Sequence, residues 1–297
     1  MRSVSLPAFA KINLDLRVLG SRPDGFHDLK TVFQSLSLFD TVTVTVRRGP
    51  LAVTCDEPDI PTDRRNLVWK AASLLYHINT GRTSVPRDIA IDVRKRIPAE
   101  AGLGGGSADA AMTLLALNAL WKLELDVATL TRVAARLGAD VPYFLIGGTA
   151  LGLGRGDDIY PLADMPPVHV VILRPGFGVS TTDAYRWFDE EQRRPLKEPQ
   201  PRPVRPGWPA WSAVLRNDLE GAVVKHHPAI GRIRQSLLDA GATFAAMSGS
   251  GSAVFGLFER ADAARRTAND LSRPGWLSLH TKTLSRREYA RRVAATL

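Results

Sequence analysis

One cysteine, Cys55, stands among 297 residues, so no intrachain disulfide can form and the fold must hold through packing alone. The chain also lacks any apolar run near the ~18 residues of a membrane-crossing helix, and Met1-Arg-Ser-Val-Ser-Leu-Pro7 lacks the apolar segment of a secretory signal. A reducing cytoplasm is therefore the expected compartment, with no membrane partner. Acidic residues are the scarcer charge. Thirty Asp plus Glu against 39 Lys plus Arg leave a formal charge of +9, which favours anionic ligands without naming one. Zinc-ligand spacing, an aromatic-basic RNA signature and a basic heptad region are all missing, which argues against nucleic acid as a partner. The basic clusters Arg286-Arg287 and Arg291-Arg292 read as the solvated face of a final helix. Absent too are the His-Arg-Asp and Asp-Phe-Gly tripeptides of protein kinases. There is no internal repeat, and nothing in the sequence signals an oligomeric state.

Glycine, by contrast, is concentrated in one place. Pro98-Ala99-Glu100-Ala101-Gly102-Leu103-Gly104-Gly105-Gly106-Ser107-Ala108 holds four glycines within five positions, ahead of Asp109 and an apolar run to Trp121. Glycine admits positive φ and lets backbone come close to a ligand. With Ser107 as N-cap, several free N–H groups would converge in front of a helix N-terminus, where negative charge is favoured. That describes a phosphate cradle; the alternative on local pattern alone is a flexible surface loop. It is not a Walker loop, since no Lys follows the glycines, nor a Rossmann fingerprint, since Ser107 stands where a glycine is needed.

Periodicity places the other elements. Residues 5–19 read as extended, residues 22–25 (Arg-Pro-Asp-Gly) as a turn, and residues 41–46 as a strand alternating Thr and Val. Asn66 caps an expected helix with Leu67, Ala71, Leu74, Leu75 and Ile78 on one stripe, stopped by Gly81. A strand at 88–93 feeds the glycine run. A helix at 125–137 is expected to close on Gly138 at C′, and Gly147-Gly148, Gly152, Gly154 and Gly156 read as tight turns between strands. Beyond an apolar strand at 168–173, six prolines in residues 193–211 predict an exposed, extended loop. A helix at 230–238 ending at Gly241, a second glycine-rich turn at 247–252 before a strand to Phe258, and helices at 261–271 and 286–297 complete the chain. Strands and helices interleave without the regular rhythm of a doubly wound sheet, which predicts an α+β fold. Pro161, Pro166 and Pro167 mark the expected boundary near residue 160, giving domains 1–160 and 161–297.

Five blocks then form a pattern: Pro7-Ala-Phe-Ala-Lys11-Ile-Asn13; Arg22-Pro-Asp-Gly-Phe26-His27 with Val32-Phe-Gln34; Gly102 to Ser107; Leu137-Gly-Ala-Asp140-Val-Pro142; and Ser248-Gly-Ser-Gly-Ser. Their order resembles the GHMP small-molecule kinase superfamily, from about Pro7 to Phe258, with the first block and Pro-Asp-Gly-Phe-His the most specific. The resemblance implies a ribosomal-S5-like N-terminal domain, a ferredoxin-like C-terminal domain and an active site in the cleft between them. It implies ATP with Mg²⁺, and a cytidine diphosphate-linked sugar alcohol phosphorylated at its C2 hydroxyl in non-mevalonate isoprenoid biosynthesis. It further implies that the residues from Pro98 to Ala108 wrap the ATP phosphates, that Lys11 and Asp140 are catalytic, and that Asn13, Phe26 and His27 meet the substrate. Ser107 is the candidate metal contact.

Departures accompany the resemblance. Ala99-Glu100-Ala101 replaces the commoner Met-Gly-Gly, so an acidic side chain near the triphosphate is expected to point away, and Phe26 replaces the commoner Tyr. The competing readings are a kinase of another small alcohol, of homoserine or mevalonate type, and a basic nucleic-acid-binding domain.

Overall fold

The structure, a computed structural model, describes residues 2–81, 86–191, 208, 212 and 214–296. Apart from Trp208, the proline-rich stretch 193–211 lies outside the described residues. The chain opens with two long strands, β1 (Ser3–Ser21) and β2 (His27–Pro50), followed by β3 (Ala52–Cys55), α1 (Leu67–Thr80) and β4 (Arg87–Arg94). Next come α2 (Gly105–Trp121), α3 (Val127–Ala135), a 3₁₀ turn (Pro142–Leu145), β5 (Thr149–Gly154) and β6 (Asp158–Pro161). The remainder comprises β7 (His169–Arg174), α4 (Thr181–Glu191), α5 (Asp218–His226), α6 (Pro228–Asp239), β8 (Phe244–Met247), β9 (Val254–Phe258), α7 (Ala261–Asp270), β10 (Leu277–Lys282) and α8 (Arg286–Ala294).

Two sheets result. The first runs β3-β4-β2-β5-β6 with β1 antiparallel to β2, and the second runs β10-β7-β9-β8, which is the α+β architecture expected. The turn at 22–25 forms as read, Gly25 at φ +83° donating its N–H to Arg22 O at 3.1 Å.

Each sheet is organised by which face it buries. On α1, Val68, Ala71, Ala72 and Leu75 form a stripe at helical spacing; Asn66 caps it, accepting from Val68 N–H at 2.8 Å, and Gly81 ends it at φ +67°. Truncating Leu75, fully buried, to alanine would cost about 2–5 kcal/mol. α2 is apolar nearly all round, as a central helix packed between α1 and the strands must be. In β7 the alternation is resolved into two cores: Val171 and Leu173 face the helices α4 to α7, while Val170 and Ile172 face the first sheet. That is why residues 168–173 read as continuously apolar. Ala10, Ile12 and Leu14 of β1 meet Phe255 and Leu257 of β9 in this inter-sheet core, so the cleft has a firm floor.

Several expectations need correction. α2 begins at Gly105 with Gly104 as N-cap at φ +73°, so Ser107 is its third residue rather than its cap. The close fit explains it: a Cβ on Gly104 would lie 2.6 Å from Phe144 Cζ, and one on Gly105 3.1 Å from Ile97 Cγ2. Gly138 does not adopt the left-handed conformation of a helix end; α3 stops at Ala135 with Arg136 right-handed after it. Gly152 lies within β5, its missing side chain filled by Phe33, whose Cε2 is 2.7 Å from where a Cβ would stand. Arg286 is not on a solvated face. Its Nη2 donates to Thr149 O (2.5 Å) and Leu162 O (3.1 Å), and α8 returns to the first core through Tyr289 and Val293.

Candidate active site

The cleft is lined by three contiguous cavities, of about 390, 530 and 830 Å³. The smallest is a groove along the glycine run, bordered by Asn66, Leu67 and Lys95 and by Pro98, Ala99, Glu100, Ala101, Gly102, Leu103, Gly104, Gly105, Gly106 and Ser107. The first helical bond back to the cap, Ala108 N–H to Gly104 O at 2.9 Å, leaves the N–H groups ahead of it without a helical acceptor. Ala108 itself is committed to that bond and buried in the core. Behind the run stands the second glycine-rich turn: Ser248 Oγ donates to Gly102 O at 2.9 Å, and a Cβ on Gly102 would lie 2.0 Å from Ser248 O. Glu100, at φ +52°, borders both the groove and the middle cavity, its Oε2 2.8 Å from where a Cβ on Gly178 would be. Its carboxylate leans on the second lobe instead of pointing away from the cleft.

Lys11 and Asp140 meet in the middle cavity, Nζ to Oδ2 at 3.2 Å, with the lysine side chain 4% and the aspartate 35% exposed. A lysine this deep needs partners. Asn13 Oδ1 accepts from Nζ at 2.6 Å while Asn13 Nδ2 donates to Thr31 Oγ1 at 2.8 Å, so the amide positions the ammonium. Asp140 does not cap the 3₁₀ turn, whose N-cap is Val141 without a side-chain bond. The segment after it is pinned: Tyr143 Oη donates to Gly148 O at 2.8 Å, and Tyr289 Oη donates to Phe144 O at 2.5 Å. Burial pushes both tyrosine hydroxyls above their usual range, keeping them neutral donors.

The largest cavity holds Phe26 and His27. His27 Nε2 lies 2.8 Å from Asp189 Oδ1, and its ring stacks on Tyr185 at 4.8 Å and 22°. Phe26 is 53% exposed, with the Arg155 guanidinium over its ring at 5.4 Å. Burial, and secondarily the charge of Asp140, push the Tyr185 hydroxyl upward, so it too stays protonated. Tyr185, Thr181 and Asp189 carry no sequence signal, because they sit on α4, a short polar helix with only Ala184 and Phe188 buried. Thr31 was equally invisible.

Under the groove lies a buried cluster. Lys95 Nζ donates to Asp40 and, at 2.6 Å, to Asp109 Oδ2; Asp40 Oδ1 also accepts from Arg96 N–H (2.5 Å) and Ile97 N–H (2.8 Å). Burial pushes the Asp109 carboxyl up to about 7, with Lys95 opposing and Asp40 reinforcing the shift. The pair fastens the first turn of α2 to the segment leaving β4. Among the described residues no group of three or more His, Cys, Asp or Glu side chains forms a metal cluster, and no helix is long and apolar enough to cross a membrane.

Residues 66–148 match the family GHMP kinases N terminal domain, and residues 208–275 match GHMP kinases C terminal. The chain is 41% identical over 289 residues to 4-diphosphocytidyl-2-C-methyl-D-erythritol kinase of Synechococcus sp. (strain JA-2-3B'a(2-13)), covering 92% of this chain and 91% of the relative. It superposes with a TM-score of 0.76 on a solved 4-(cytidine 5'-diphospho)-2C-methyl-D-erythritol kinase, 37% identical and covering 94% and 98% of the two chains. A homoserine kinase from Cytophaga hutchinsonii shares the fold at a TM-score of 0.65 with 19% identity, over 96% and 95%. The chain belongs to the GHMP kinases, in the family of 4-diphosphocytidyl-2-C-methyl-D-erythritol kinases.

Proposed function

We propose that this protein transfers the γ-phosphoryl group of ATP to the C2 hydroxyl of 4-diphosphocytidyl-2-C-methyl-D-erythritol, in non-mevalonate isoprenoid precursor synthesis. The observation that carries this is the Lys11–Asp140 contact, 3.2 Å, in a cavity that adjoins the glycine groove on one side and the His27 cavity on the other. A phosphoryl donor and a long acceptor can then meet at one ion pair. Phosphoryl transfer requires an oriented hydroxyl and charge neutralisation more than covalent help. Asp140 orients the C2 hydroxyl and accepts its proton; Lys11, 3.2 Å from that carboxylate, stabilises charge building on the transferring group.

At the far end the base is read by shape and by one hydrogen bond. With its proton on Nε2 toward Asp189, His27 offers the Nδ1 lone pair, which suits the exocyclic amine of cytosine and not the carbonyl of uracil. The exposed ring of Phe26 supplies a stacking face. Homoserine and mevalonate would leave this cavity empty. Residues 1–160 supply the groove and the reacting pair, and residues 161–297 close the cleft. The free thiol of Cys55 suits a reducing cytoplasm.

The glycine groove, with backbone donors along Gly104 to Gly106, fits a nucleotide triphosphate. Mg²⁺ would ride on those phosphates, with the Ser107 hydroxyl and the Asp140 carboxylate as the contacts this chain offers; when bound it neutralises phosphate charge. Substrate-dependent ADP release tests the reading. Turnover with the cytidyl substrate and none with homoserine or mevalonate is expected; the reverse pattern would reject it.

A further inference from the structure

The turn between β5 and β6 has no part in the mechanism above. Gly154 (φ +64°) and Gly156 (φ +95°) flank Arg155, and Gly156 N–H closes on Leu153 O at 3.0 Å. The register pairs Gly154 with Leu29 of β2, which brings the next residue, Arg155, beside the start of β2, where Phe26 and His27 stand. Its guanidinium carbon lies 5.4 Å from the centre of the Phe26 ring. Asp157 Oδ2 accepts from Nε (3.1 Å) and Nη2 (2.5 Å), fixing the plane of the group, while Nη1 makes no hydrogen bond among the described residues.

Arg155 borders both the middle cavity, with Lys11 and Asp140, and the outer one, with Phe26 and His27. Among the described residues it is the one basic side chain that does. Lys11 borders the middle cavity but not the outer one, and Arg186 the outer one but not the middle. If the base sits outside and the alcohol inside, the part of the substrate that must pass Arg155 is the link between them, which is a diphosphate.

We propose that Arg155 binds the diphosphate of the substrate and so sets the length and charge of the acceptor this kinase accepts. The proposal rests on the function inferred above. Guanidinium offers planar, paired donors that match phosphate oxygens, and Asp157 preorganises them by occupying the Nε–Nη2 edge and leaving the edge that carries Nη1. A charge-assisted bond of this kind corresponds to about 10- to 100-fold in affinity.

Calorimetric titration of cytidine and of CDP, with a non-hydrolysable ATP analogue saturating the groove, tests it on wild type, R155M and R155K. Wild type should bind CDP about 10- to 100-fold more tightly than cytidine; R155M should shrink that gap to roughly threefold or less with cytidine affinity unchanged. In turnover, KM for the cytidyl substrate should rise in R155M while KM for ATP holds. R155K keeps the charge but loses the fork, so its gap should fall between the other two, and it serves as the test should the methionine variant unfold. Cytidine binding in both proteins with an unaltered CDP gap overturns the role of Arg155 alone. Failure of the wild type to bind either ligand overturns the base pocket beneath it as well.

Discussion

The two ends of the cleft are built from different materials. At the phosphate end the chain offers backbone: Gly104 caps α2 and Gly105 and Gly106 begin it, and a side chain is excluded at Gly104 by Phe144 and crowded at Gly105 by Ile97. At the base end it offers side chains drawn from separate elements: His27 from β2, Tyr185 and Asp189 from α4, Arg155 from a turn. Backbone donors bind any phosphate chain, whereas side chains from distant positions can be exchanged one at a time. The first end suits a ligand common to many kinases; the second suits the one that distinguishes this family. Lys11 and Asp140 lie where the two ends meet.

This contrast can be broken from the middle outward. Asp140→Asn keeps the shape of the junction but removes its base, so kcat should fall about 10²–10⁴-fold with both substrates still bound. A kcat within a few-fold of wild type would take the base away from Asp140. Lys11→Met should lower kcat by about 10²–10³-fold with little change in melting temperature, because its charge matters most in the transition state; intact kinetics with a lowered melting temperature would make it structural.

The ends themselves should separate. Gly104→Ala puts a methyl 2.6 Å from Phe144 Cζ and 3.1 Å from Lys11 Cγ at φ +73°, where an L-residue already costs about 1–2 kcal/mol. KM for ATP should rise roughly tenfold or more. His27→Ala should spare ATP and shrink the preference for cytidine over uridine substrates, which in the wild type should be roughly tenfold, the net worth of one hydrogen bond. Should Gly104→Ala alter only the cytidyl KM, or His27→Ala only the ATP KM, the division of labour fails.

An effect on stability instead of turnover lies beneath the phosphate end. Burial holds Asp109 protonated up to about 7, against 3.8 in an unfolded chain, so its contribution to stability is full at acid pH and is lost as pH rises through that window. Asp109→Asn cannot ionise. Its stability relative to wild type should therefore increase between pH 5 and pH 8, measured by denaturant titration, and an identical pH dependence in the two proteins would show that Asp109 is ionised throughout.

The sequence announced the backbone-built end because glycine spacing is local, and it announced Lys11, Asp140 and His27 because they sit in blocks with an order of their own. It missed where α2 begins. Propensity disfavours glycine in a first turn, but the tight approach of Ile97 and Phe144 decides the matter. Tyr185 and Asp189 escaped notice because their partner, His27, is more than 150 positions away, and the helix that carries them is mostly polar, with only Ala184 and Phe188 buried. Arg155 was visible only as the residue between two turn glycines.

The last helix holds the segment that carries Asp140: Tyr289 bonds Phe144 O and packs over Gly147, whose Cβ would lie 2.4 Å from its ring. During vectorial synthesis the first sheet, α1 and α2 can all leave the ribosome before that residue is made. The first core of the nascent chain therefore keeps a gap until Tyr289 and Val293 have been added. Until α8 is added, the segment that carries Asp140 lacks the Tyr289 tether that fixes Phe144 and Gly147.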